Sequence, residues 1–215
     1  MTERRLSPLS HAWTLAGLIA LAIALVTLTR LMPHWLGMDH PLTEYLWNFT
    51  QVPALLLFGV ALFPRRGVWL AFLLPLLAMF VSDLVLQATV AKAPMGSWEG
   101  RTLIYCTFVV VGCLGFWLRQ RRLWIDVLAA SLTSSILFYL VTNCAVWLAS
   151  NPMQAPPVGY PKTLAGLLEC YTWALPFFRN ELLGNLFYCG LLFGGYRLVE
   201  RLLSSRQLAE VRVRE

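Results

Sequence analysis

The sequence predicts an all-α membrane protein, a polytopic bundle of about six transmembrane helices. Three observations predict it. Of the 215 residues, 58% are hydrophobic and 13% charged, where soluble domains run at roughly 45–50% and about 25%. The mean hydropathy is +0.64. Six charge-poor apolar runs follow one another, each near the ~20 residues that a helix needs to cross a bilayer. This composition excludes a soluble enzyme, a disordered region and a nucleic-acid-binding domain, because too much apolar surface would face water. The net charge of +6 sits between the runs, where it reads as a topology signal. One integral domain, 1–215, accounts for the chain.

The first run, 12–32, follows Arg4 and Arg5 and stops before Pro33. It is longer than a secretory signal core and no small-residue cleavage site follows, so it reads as a retained helix. The second, 45–64, has no charge between Glu44 and Arg65, although Pro53 interrupts its outer end. The third, 68–88, carries one acid, Asp83. The fourth and fifth are 102–118 and 124–149, with Asp126 placed as an N-terminal helix charge. A proline-rich loop then runs from Ser150 to Lys162 and should be extended. The apolar stretch Thr163–Leu175 is too short to span, and an interfacial or re-entrant helix is expected there. The sixth run, 177–198, continues into a basic tail, 199–215.

Charge sets the orientation. Arg4, Arg5, Arg65, Arg66, Arg119, Arg121 and Arg122 fall on one side with the tail arginines 197, 201, 206, 212 and 214. Arg30, Lys92, Arg101, Lys162 and Arg179 fall on the other. The positive-inside rule then puts both termini in the cytoplasm, as an even number of spans requires. Tryptophans mark the same borders, Trp13, Trp69, Trp117 and Trp124 inside and Trp35, Trp47, Trp98, Trp147 and Trp173 outside. Five cysteines form no CxxC pair, and Cys106 and Cys113, seven apart on one helix face, suggest packing.

Ionisable groups within spans are costly and are functional candidates for that reason. Asp83 lies about 15 residues into the third run, roughly 22 Å along at 1.5 Å per residue, near the outer leaflet. Arg179 and Glu181 open the sixth run in the same layer, joined by Asn143, Asn48, Thr50, Tyr105 and Gln87. That layer fits an outward-facing pocket for a small polar or anionic molecule. In it Arg179 would pair an anionic group, and Asp83 would hold Arg179 or accept a hydrogen bond. A structural network, with Arg179 neutralising Asp83 or Glu181, is the alternative. His34 and His40 lack a ligand pattern and read as interfacial.

No HExxH, GxSxG, Walker A or GxGxxG motif occurs. Ser131, Thr133, Ser134 and Ser135 have no histidine or lysine in any span to act as base. No enzyme, cofactor or metal is therefore expected. In the first run, Ala16, Ala20 and Ala24 form a small-residue ridge on which another helix could pack closely, within the chain or from a partner.

Several segments resemble a known family. They are Asn48-Phe49-Thr50, Pro75 to Asp83 (PLLAMFVSD), Val141 to Trp147 (VTNCAVW) and Pro176 to Asn185 (PFFRNELLGN). They resemble bacterial inner-membrane proteins described as transporters, which are similar in turn to the substrate-binding S components of energy-coupling factor (ECF) vitamin transporters. The resemblance implies a six-helix fold with a small nutrient, vitamin-like or a cofactor precursor, bound near the outer face. It also implies that the Ala16/Ala20/Ala24 ridge docks on a transmembrane coupling subunit served by ATPases. Some S-component relatives ligate cobalamin through a cysteine, but Gly96, Ser97 and Trp98 stand in the corresponding loop here. The same architecture resembles small membrane subunits of envelope-assembly machines, which makes a non-transport scaffold the second expectation.

The topology is directly testable. Reporter domains fused after residue 215 and within the 150–162 loop are expected to read cytoplasmic and external respectively. The reverse pattern, or equal readings, would overturn the assignment.

Overall fold

The computed structural model describes residues 23–37, 39–90, 98–121 and 123–214. The first eleven residues of the 12–32 run, with Ala16 and Ala20, lie outside these. Seven α-helices and one 3-10 turn make up the described chain: α1 (23–36), α2 (Thr43–Leu46), α3 (Val52–Leu62), the turn Arg65–Gly67, α4 (Val68–Thr89), α5 (Trp98–Leu118), α6 (Trp124–Ala149) and α7 (Leu164–Arg214). Among the described residues four helices are long and apolar enough to cross a membrane: Arg65–Thr89, Gly100–Leu118, Trp124–Ala149 and Leu164–Leu202.

The local chemistry explains most boundaries. Asp126 Oδ2 accepts the Leu123 amide at 3.1 Å and closes the start of α6. Phe63, in an extended conformation, ends α3 one residue before Pro64. Three expectations need correcting. Pro33 does not stop α1, which continues to residue 36. Thr163–Leu175 is not a separate interfacial helix: its residues from Leu164 run through Pro176 into one 51-residue helix, α7. A proline removes one amide donor and strains one turn, and the surrounding apolar periodicity carries the helix past that.

The run 45–64 does not form one long helix either. Thr43–Leu46 and Val52–Leu62 are two helices joined by a non-helical link in which Asn48 takes φ +60°. Asparagine tolerates the left-handed region better than most residues. The second of these helices has 11 residues, so it is about 16 Å long, half the thickness of a hydrocarbon core.

That short helix is the hub of the bundle. Ala54, Leu57 and Ala61 pack with Leu118, Val127, Ala130, Cys189 and Phe193 on one side. Val52 and Leu56 pack with Val26, Ala78 and Phe108 on another. Large apolar residues of the surrounding helices face outward, among them Leu73, Leu77, Phe80 and Leu84 of α4 and Leu183, Phe187 and Leu191 of α7. They repeat at three- and four-residue intervals, a lipid-facing stripe on each helix. Cys106 and Cys113 are exposed on α5 and therefore do not pack inside the bundle as the sequence suggested.

Arginines gather at the end where α3 finishes. Arg119 donates to the Phe63 carbonyl at 3.0 Å, and Arg197 sits 4.6 Å from the Trp124 ring centre. Close approach of α5 to α3 depends on Gly115, where an added Cβ would stand 2.7 Å from Val60 Cβ and 2.9 Å from the Leu57 carbonyl oxygen. Gly115→Ala should therefore lower stability by about 1–3 kcal/mol through overpacking. Gly190→Ala, where nothing lies within 4 Å, should be neutral or stabilising by up to about 1 kcal/mol. Thermal unfolding of the two variants in the same detergent compares them, and equal melting temperatures would contradict this packing.

Candidate functional site

A cavity of about 390 Å³ lies in the half of the bundle away from the arginine end. Its position follows from α3. Beyond Val52 the chain leaves the bundle axis through the link 47–51, while α1, α4, α5, α6 and α7 continue past it. Those five helices and the link wall the space. The volume falls in the range of about 300–1,000 Å³ typical of small-molecule sites. Its floor is Val52 with the stacked rings of Phe108 and Phe138, whose centroids are 4.8 Å apart. Gly184 lets α7 lie against the link, since a Cβ there would be 3.1 Å from the Thr50 amide nitrogen and 3.3 Å from Phe49 Cα.

On one wall, α1 and α4 are joined by an ion pair. Arg30 Nη1 meets Asp83 Oδ1 at 2.5 Å, with 6% of the Asp83 side chain exposed. Tyr105 donates its hydroxyl hydrogen to Asp83 Oδ2 at 2.7 Å. Arg30 also donates to Ser82 Oγ and to the Met79 carbonyl. Both ions are thus paired and hydrogen-bonded, which is what an ion pair away from bulk water needs. Next to it, Thr29 donates to Gln51 Oε1 at 3.1 Å. His34 lies edge-on to Trp47 at 5.0 Å.

The opposite wall is aromatic with one acid. Tyr139 and Phe178 lie 4.6 Å apart by ring centre, and Tyr139 donates to the Tyr171 carbonyl at 2.7 Å. Between α6 and α7, Glu181 is 3% exposed, and beyond the nearby Ser135 hydroxyl its two carboxylate oxygens meet no donor. One turn further, Asn185 Nδ2 donates to the Ser131 carbonyl, Ser134 Oγ and Ser135 Oγ at 3.1, 2.7 and 3.0 Å. This buried seam is the place of the serines in α6, and it locks two helices together.

Asp83, Asn143, Asn48, Glu181 and Tyr105 all line the cavity. Asn143 spends its amide on the Tyr139 carbonyl at 2.8 Å. Arg179 is not among the lining residues. It pairs with Glu44 at 3.1 Å, stacks 5.0 Å from the Tyr45 ring centre, and its side chain is 45% exposed. The expected partner of Asp83 is therefore replaced by Arg30, and Glu181 is not neutralised by Arg179. Residues 179 and 181 are about 200° apart around a helix at 3.6 residues per turn, so they cannot share one face. Gln87 is exposed and Ala24 is exposed on α1.

Arg30, Arg101, His34 and the aromatic wall also line it. Arg30 has a signal in the sequence, since it falls inside the 12–32 run and is as costly there as Asp83 is in its own. The aromatic residues have none, because an aromatic in a membrane helix can face lipid, core or cavity equally well.

The fold and its cavity define a membrane-type helical bundle with a ligand-sized chamber in one half. The chain belongs to a family of unknown function, DUF6580, whose model matches residues 10–208. No curated protein and no solved structure matches it.

The ion pair makes a stability prediction. Arg30→Met alone leaves Asp83 charged and unpaired, and should cost about 3–5 kcal/mol. The double variant Arg30→Met/Asp83→Leu should recover at least half of that loss. A double-mutant cycle on thermal unfolding measures this, and additive losses would show that the two side chains are not coupled.

Proposed function

We propose that the protein is a substrate-capturing component of a transport system in the bacterial inner membrane, built like an ECF S component. The observation that carries this reading is the cavity of about 390 Å³. It is confined to one half of the bundle, reached by polar groups from every surrounding helix, and left by α3. A scaffold has no need of such a space. The arginine-rich end, with Arg65, Arg66, Arg119 and Arg197, supports a cytoplasmic placement under the positive-inside rule. The cavity then opens outward and both termini lie inside.

On this reading the substrate is a small nutrient. Asp83, Asn48, Asn143, Tyr105 and Glu181 contact it or support those that do, and Arg179 with Glu44 guards the rim. The ridge of Ala16, Ala20 and Ala24 docks a transmembrane coupling subunit, with energy supplied by ATPases on other chains. Ala24, exposed on α1, supports an unfilled face there. The Asn185 seam would serve a non-transport scaffold equally well, which keeps that alternative as the competing reading.

Native mass spectrometry of the protein gently purified from its own membranes separates the two. Wild type is expected to retain a small molecule. Ala174→Trp, which fills the cavity from α7 at a residue 8% exposed, is expected to lose it. A ligand-free spectrum that persists across lipids and added metabolite extracts would favour the scaffold.

A further inference from the structure

The cavity carries information about the charge of what it holds. Glu181 is buried in its wall, and beyond the nearby Ser135 hydroxyl its two carboxylate oxygens meet no donor. A carboxylate removed from water with so few donors is strongly disfavoured, so such a group either holds a proton or meets a partner that brings donors and positive charge. The basic residues near by are otherwise engaged. Arg30 is spent on Asp83, Ser82 and the Met79 carbonyl. Arg179 is turned to Glu44 on the far side of its helix. Arg101 lines the cavity too, but no hydrogen bond joins it to Glu181. The same cavity is lined by the rings of Phe138, Tyr139 and Phe178, and aromatic faces attract cations and stack on flat groups.

We infer that the cavity takes a small, flat organic cation bearing N–H donors, such as a protonated amidine or amino-heterocycle, with Glu181 accepting from it. The inference rests on the cavity being the ligand site. It replaces the anionic ligand that Arg179 suggested in the sequence. N–H donors of the cation would reach the Glu181 carboxylate, and the rings would hold the plane of the cation. Arg30 and Asp83, already neutralising each other, contribute shape, and Glu181 is the acid of the lining not held by an arginine, with Arg101 the further charge on the α5 wall.

The test uses the full chain in lipid nanodiscs and equilibrium dialysis against empty nanodiscs. The probes are benzamidine, benzamide and benzoate, which share a flat ring and differ in charge. Saturable binding of benzamidine is expected, with benzamide and benzoate weaker by at least about tenfold. Glu181→Gln should weaken benzamidine by about tenfold while benzamide changes by less than about threefold. The comparison of the three probes on wild type needs no variant, so a poorly folding Glu181→Gln does not remove the test. Benzamide or benzoate binding as tightly as benzamidine overturns the cation inference and leaves the cavity reading standing. Benzamidine binding that Glu181→Gln leaves unchanged overturns the role of Glu181. Failure of all three probes up to about 10 mM overturns the inference together with the cavity reading.

Discussion

The shortness of α3 is the constraint from which the rest of the bundle follows. A helix of 11 residues at the centre of helices twice its length fills only part of the axis. On the filled part, small residues bring the neighbours close: Gly59 meets Ala71 at a potential Cβ distance of 3.0 Å, and Gly115 meets Val60. On the other part the chain turns away through Asn48, Phe49 and Thr50, and the cavity opens. Non-helical backbone at membrane depth is tolerated where it is packed in protein or borders a cavity. The link satisfies both conditions, packed beneath Gly184 of α7 and facing the chamber.

Charge inside the bundle follows from the same low-dielectric setting. Asp83 has an ion-pair partner and a tyrosine donor, and Asn185 places its amide hydrogens among serines. These groups are satisfied within the chain, and they join α1 to α4, α4 to α5, and α6 to α7. Glu181 differs from Asp83 among the described residues, in the same layer and more deeply buried but with no ion-pair partner. A paired acid and an acid without an ion-pair partner thus stand in a single cavity, a difference that burial alone does not show.

Much of the cavity lining is legible in the sequence because an ionisable residue in an apolar run has few places to go. Asp83, Glu181, Tyr105, Asn143 and Asn48 all reach the cavity, and their common depth follows from counting residues along each run. The partners are not legible. Arg179 and Glu181 stand two positions apart and share a depth, yet helical geometry sends them to different faces. Arg30 resembles a border charge by position, and only the packing of α1 on α4 brings it to Asp83.

By itself the sequence determined the helical class, the apolar runs and the level at which polar groups collect. These depend on composition and on a fixed rise per residue, both local properties. Tertiary structure alone decided that the 45–64 run would break into two short helices around a left-handed Asn48, and that α7 would pass unbroken through Pro176. It also decided which acid found a cation and which was left facing the cavity. Such outcomes depend on the rotation of each helix about its own axis and on what packs beside it, and a linear pattern does not specify either.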